Sequence, residues 1–297
     1  MTRNIKLEFI TPLFSHGATD IAEIRPPSIR GQLHWWFRLL GGSIEQERSV
    51  FGGIKQSKGG FGGKDMTLAS KLVVRVSNVQ GTQGEVPTLP HKHGGMSAPR
   101  RAFLPGATCD LTLMDRLEGL GENETLLQNS VNAWLLMDSL GFRAARGGGS
   151  FGWSDESFAQ PDEPLAYQDA CRDLIDECGA KARVAVLDKD YEKAEQARAV
   201  ITDSLGGPSG RDDETDLRDL HEPLGYVGRR FYDKNLPTRK SSPLKYRIVR
   251  FASGFRILAF WDGREVVTGN SDKELFAVVD LLARKKPEIG GQLRRAF

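Results

Sequence analysis

The chain has 297 residues, 39% of them hydrophobic and 27% charged, with a formal net charge of +2. No apolar run reaches the length of a membrane span, and the N-terminus lacks a charged-then-apolar signal pattern. A cytoplasmic protein is therefore expected, with a real core and either one large domain or two of ordinary size.

Residues 4–10 alternate apolar and polar, which predicts a half-buried strand closed by Thr11-Pro12. Leu13 to Glu23 reads as a loop. Pro26-Pro27 stops any helix upstream, and Ser28 is placed to cap a helix from about Ile29 to Gly41-Gly42. On that helix Leu33, Trp36, Phe37 and Leu40 share one face, while Arg30, His34 and Arg38 share another. Glu45 to Val50 predicts a further helical turn, and residues 52–65 a flexible basic loop that carries Lys55 and Lys58. Strands are expected over 70–78 and 107–113, separated by a Gly-, Pro- and His-rich loop from Gly81 to Arg101. A second helix spans Glu122 to Leu140 and ends at Gly141. Helical segments follow over 166–200, with a short strand at 183–187, and 206–219 reads as a polar loop. Residues 244–252 and 254–262 predict two strands turning at Ser253-Gly254. Ser271 and Glu274 form a capping-box pattern at the start of a last helix that Pro287 stops.

The N-terminal order is close to the β-α-β-β-α-β ferredoxin-like pattern with long insertions, and the C-terminal part is a weaker version of it. The fold class expected is α+β, with two ferredoxin-like (RRM-like) units. One unit covers 1–155 and holds a glycine-rich loop; a helical insertion and a second unit cover 156–297.

Charge is distributed in blocks. Arg25 to Lys64 holds seven Lys/Arg against two Glu, and Tyr226 to Arg250 holds eight against one Asp. Asp155 to Gly225 reverses the balance, with nineteen acids against eight bases. A near-neutral chain laid out this way suits a polyanion on one face, although such blocks also occur on faces that bind nothing. Arg25, Arg30 and Arg38 beside His34, Trp35, Trp36 and Phe37 pair fixed cations with rings, as a phosphate backbone with stackable bases requires. The same residues also describe an ordinary amphipathic helix with a basic outer face. On that helix Trp35 and Trp36 cannot both face outward, so Trp36 is assigned to the core and Trp35 to stacking or a subunit contact.

A second motif runs from Gly141 to Trp153. Arg143 and Arg146 precede Gly147, Gly148, Gly149 and Ser150, and glycine backbone can approach a phosphate closely. The motif is neither a Walker loop nor a dinucleotide fingerprint. Arg229 and Arg230, among aromatic residues, could extend a basic groove or pack against another subunit. Cys109, Cys171 and Cys178 form no CxxC pair, and His91 and His93 lack further ligands at useful spacing, so neither a metal site nor a cofactor is expected.

Three segments together resemble the RAMP superfamily of CRISPR RNA-binding proteins, and within it the first subunit of the type III-B Cmr effector complex. They are Thr11-Pro12-Leu13-Phe14 with Glu23 to Gly31; Trp35-Trp36-Phe37-Arg38 with Phe51-Gly52; and Gly141-Phe142-Arg143 with Arg146 to Phe151. The resemblance covers about residues 4–153 and is thin beyond. It implies a place at the end of a ribonucleoprotein filament, near the 3′ part of the guide RNA. The partners it implies are guide CRISPR RNA, complementary target RNA and neighbouring RAMP subunits, with no membrane. Related backbone subunits cut RNA with an acid in the loop after the first strand. Asp20, with His16 nearby, occupies that loop here. A non-catalytic RNA-binding subunit is expected; an endoribonuclease using Asp20 and a purely structural cap are the alternatives.

Overall fold

The computed structural model describes residues 1–19, 21–55, 66–88, 99–116, 119–205, 226–227, 239–240 and 242–284. Strand β1 (Thr2–Phe9) turns Ile5, Leu7 and Phe9 into the core, as its alternation dictates. Helix α1 (Pro26–Leu39) begins before Ser28, so the expected serine cap is not used; Arg25 stands at the N-cap position. Proline suits the first helical positions, because its missing N–H would be unsatisfied there anyway. Ile29, Leu33, Trp36, Phe37 and Leu39 form the buried face of α1. Helix α2 (Ile44–Phe51) carries a full capping box between Ser43 and Gln46.

Two hairpins lie where the sequence reads as loop. Strand β2 (Gly53–Lys55) pairs with β3 (Met66–Leu68). After β4 (Leu72–Gln80), strand β5 (Gln83–Pro87) pairs with β6 (Pro99–Phe103). The second hairpin is largely solvated, so no apolar alternation marks it in the sequence. Strand β7 (Thr108–Asp115), helix α3 (Glu124–Met137) and strand β8 (Phe151–Asp155) complete a first unit. Its sheet is antiparallel throughout, in the order β4-β7-β1-β8, so the principal elements follow the expected β-α-β-β-α-β connectivity.

Helix α4 (Pro164–Glu177) leads to β9 (Ala182–Val186) and α5 (Ala194–Leu205). A two-residue pair, β10 (Tyr226–Val227) with β11 (Arg239–Lys240), precedes β12 (Leu244–Phe251) and β13 (Gly254–Asp262). Helices α6 (Glu265–Thr268) and α7 (Asp272–Arg284) follow, and the Ser271–Glu274 capping box is formed. The second sheet has the order β12-β13-β9, all antiparallel. It repeats the arrangement β4-β7-β1 of the first, with α5 and α7 in the places of α1 and α3.

The second sheet is buried on both faces. Val184, Val186, Val249, Phe251, Leu258 and Phe260 join the core of the first unit. Ala185, Tyr246, Ile248, Ile257, Ala259 and Trp261 pack with Ala197, Ile201, Leu275 and Val278 from α5 and α7. This explains why β12 and β13 carry apolar residues on both faces, unlike β1.

Glycine is required at Gly149. Its φ is +61°, and a Cβ there would run into the Leu140 carbonyl oxygen. Gly31, on the exposed side of α1, has nothing within 4 Å of such an atom. Gly149→Ala is expected to cost at least about 2 kcal/mol in thermal or urea unfolding. Gly31→Ala should add about 0.5–1 kcal/mol, because alanine is the better helix former.

Candidate nucleic-acid interface

The loop after β1 gathers distant parts of the chain by single backbone bridges. Leu13 pairs with Phe103 at the end of β6, Phe14 with Phe142, and His16 with Ala22. The turn after α3 and the arm of the β5–β6 hairpin thereby meet along one edge of the first unit. Exposed Arg100 and Arg101 come from β6, Arg143 from the turn, and Arg25 from the start of α1. Arg25 donates to the His16 carbonyl (3.4 Å) and lies 3.1 Å from a Glu23 carboxylate oxygen. Arg101 donates to Gln83 (3.1 Å), whose amide donates to the Ala22 carbonyl (3.2 Å).

Phe142 stands on this edge with 43% of its surface exposed. The Arg100 and Arg143 guanidinium carbons lie 5.1 and 5.0 Å from the centre of its ring. Both distances allow attraction between cation and ring. Arg143 has φ +64°, a left-handed conformation that is costly for a side chain with a Cβ. Beneath the edge, Arg198 of α5 is buried and donates to the Thr88 carbonyl at the end of β5. Its guanidinium also lies 5.4 Å from the Phe14 ring centre, so the second unit holds both the hairpin and the loop. Thus the edge presents guanidiniums, which donate hydrogen bonds in a fixed fork and do not release their protons at cellular pH. Such groups bind and orient phosphate.

Several residues expected on an RNA surface are turned inward. Arg30 donates to the Phe51 carbonyl at the end of α2, one of the acceptors a helix end leaves unsatisfied. The His34 ring stacks on Phe51 with centroids 3.9 Å apart, and its Nδ1 lies 2.7 Å from Glu47. Trp35 packs against Trp36 and Phe260, with the Lys245 ammonium 3.7 Å from its ring centre. It joins the two units of this chain and is half-buried between them. Trp36 is fully buried, as expected, and its indole N–H donates to Asp138 (2.9 Å). Arg38 remains 53% exposed, with Glu47 3.5 Å away.

The glycine-rich loop also differs from expectation. Its N–H groups already donate within the protein: Gly147 to the Tyr246 carbonyl (3.0 Å), Gly148 to Arg143 (3.1 Å), Gly149 to Pro12 (2.9 Å) and Ser150 to the Thr11 hydroxyl (2.8 Å). All four residues are buried, and a Cβ on Gly147 would crowd Ile248 and Ile201. Here glycine admits close approach of the second unit, not of a phosphate. Arg146 lies behind the loop, 5.9 Å from the Tyr246 ring centre, where burial lowers its pKa.

Asp20, Lys58, Arg229, Arg230, His91 and His93 lie outside the described residues. Lys55 ends β2, and nothing is described of its side chain. His16 lies beside Arg25 at the edge, with its carbonyl accepting from that arginine. The thiols are buried or half-buried, and burial pushes Cys109 up to about 12 and raises Cys171 and Cys178. Among the described residues no group of three or more His, Cys, Asp or Glu is placed to hold a metal.

Phe142, Arg100 and Arg101 escape the sequence reading. Phe142 lies inside the glycine-rich motif, where the glycines and arginines draw the attention, and the two arginines lie in a segment without strand periodicity. The open face of the first sheet shows Asn4, Lys6, Arg75, Ser77, Asp110 and Thr112. No aromatic ring stands on it among the described residues, whereas RRM sheets stack bases on such rings.

Residues 6–152 match the sequence pattern of the RAMP superfamily. No curated protein matches the chain. Among solved structures the fold is similar to Cmr1 from Pyrococcus furiosus in its apo form, with TM-score 0.57 and 18% identity over 88% of this chain and 87% of that one. It is also similar to a chain of the type III-B Cmr-beta complex bound to cognate target RNA and AMPPnP in the presence of ssDNA. There the TM-score is 0.58, with 11% identity over 95% of this chain and 98% of the other. A chain of the Cmr-beta complex bound to cognate target RNA gives 0.51 and 11% identity over 93% and 99%.

If the glycine-rich loop is a joint between units, Ser150→Ala should act on stability alone. Its hydroxyl accepts from the Ile248 N–H (3.0 Å) and lies 3.1 Å from the Ser139 hydroxyl. Losing it leaves a buried donor unpaired, so thermal unfolding should show a loss of about 1–3 kcal/mol. Polyanion affinity of the folded protein should be unchanged.

Proposed function

We propose that this chain, whose residues 6–152 form a RAMP superfamily unit, is an RNA-binding, non-catalytic subunit of a type III-B CRISPR ribonucleoprotein effector. In this reading it caps the filament near the 3′ region of the guide RNA and contacts guide or target RNA during antiviral defence. Guide CRISPR RNA, complementary target RNA and neighbouring RAMP subunits are its partners, and the cytoplasm its compartment. No described helix is long and apolar enough to cross a membrane. Similarity of fold along nearly the whole chain to Cmr1 and to Cmr-beta complex chains supports this placement. We also read the chain as two RAMP-like units divided near residue 155.

The observation that carries RNA binding is the pair of guanidiniums, Arg100 and Arg143, at the exposed Phe142 ring, with Arg25 and Arg101 tied to the adjoining loop after β1. Binding through guanidiniums and phosphates tolerates any base sequence, as a subunit that serves variable guides requires. Cleavage needs a group that takes a proton from the attacking 2′-hydroxyl, or a metal that activates it; arginine does neither.

The test is fluorescence anisotropy of labelled RNAs of unrelated sequence against the purified protein, across a salt series. Wild-type affinity should vary little with sequence and fall steeply with salt. Arg100→Gln combined with Arg143→Gln should weaken binding and reduce the slope of log K against log salt by about 0.7 for each phosphate that is no longer neutralised. An unchanged slope would move RNA binding off this edge. Intact RNA after prolonged incubation is the outcome expected for a non-catalytic subunit.

A further inference from the structure

Phe142 is the only exposed aromatic ring among the residues whose burial is described. Full burial of a phenylalanine gains about 1.5–3 kcal/mol, so covering the exposed part of this ring would recover a share of that. Its support is rigid: the Phe142 N–H donates to the Phe14 carbonyl (2.7 Å), and Arg143 then reverses the chain in its left-handed conformation. Two guanidiniums from separate elements, Arg100 and Arg143, lie against this one ring.

Resting on the RNA-binding reading above, we infer that Phe142 is a stacking platform for one unpaired nucleobase, and that this site takes single-stranded RNA in preference to a duplex. A base takes the ring face, in a sequence-tolerant stack, as the guanidiniums that lie over it turn aside. Arg100 and Arg143 then bridge to the phosphates on either side of that nucleotide, where a planar fork matches phosphate geometry. In an A-form duplex each internal base is already covered on both faces, so a duplex offers this ring only its last pair. One ring takes one base. The polar open face of the first sheet and the doubly covered second sheet provide no continuing row of rings for a longer stack.

The experiment uses the full chain, a 12-nucleotide single-stranded RNA and the same sequence as a blunt hairpin duplex. Each single strand carries 2-aminopurine at one position in turn. Anisotropy gives affinity, and 2-aminopurine fluorescence reports stacking. The expected result is quenching at one position, affinity at least about tenfold higher for the single strand, and a loss of about tenfold with Phe142→Leu, the scale of one base–aromatic stack. Phe142→Trp should restore both signals, which also guards against a folding defect in the leucine variant. Equal affinity for strand and duplex, with Phe142→Leu unchanged, would overturn the stacking site and leave the RNA-binding reading standing. Absence of RNA binding by the wild-type protein would overturn both.

Discussion

The C-terminal end of α3 lies inside the protein, and a helix end leaves its last carbonyls without intrahelical donors. Buried away from water, these oxygens need donors from elsewhere in the chain. The Arg247 guanidinium, carried by β12, donates to the carbonyls of Leu135, Asp138 and Phe151. Tyr167 of α4 donates its hydroxyl to Leu136 (2.6 Å). A cation at this helix end also meets the negative pole of the helix dipole. Arg247 is 1% exposed and burial lowers its pKa, so its charge is sustained by carbonyls and by the Phe151 ring, 4.5 Å from the guanidinium carbon.

The next residues extend this junction. Asp138 accepts from the Trp36 indole and from Lys245 (3.2 Å), and the Ser139 carbonyl accepts from Gln32 (2.7 Å). The chain then passes through Phe142 and Arg143 and returns to the interior at Gly147 to Ser150. Both ends of the exposed turn are thus fixed in a polar seam between the two units. Its outward part can hold an aromatic ring and a strained arginine in position because neither end moves. Ligand-facing geometry here depends on interior hydrogen bonding rather than on the glycines' own freedom.

Much of this architecture can be read from the residues. The alternation in β1, the strand pattern of β12 and β13 around Ser253-Gly254, the apolar stripe of α1 and the Ser271–Glu274 box are local signals, and each element formed where its pattern lies. Burial of Trp36 also follows from helical spacing. The β5–β6 hairpin does not, because pairing of solvated strands rests on backbone hydrogen bonds that leave no hydrophobic period. The inward turn of Arg30, His34 and Trp35 is equally hidden. A basic residue on a helix face looks solvated until α2 or the second unit is folded over it, and sequence spacing does not show what packs above. The glycine-rich segment misleads for a related reason, since close backbone approach is needed equally by a phosphate and by a neighbouring strand. In each case the missing information is a contact from far along the chain.

Arg247 also sets an order of events during synthesis. Residues that need its guanidinium, from Leu135 to Phe151, leave the ribosome about a hundred residues earlier. At cellular elongation rates that interval is on the order of ten seconds. Through it Tyr167 can already serve the Leu136 carbonyl, while those of Leu135, Asp138 and Phe151 still lack the guanidinium. Water, or a chaperone's polar groups, must hold those carbonyls in the meantime. Of the donors at this helix end, the Arg247 guanidinium is thus made last, after Tyr167.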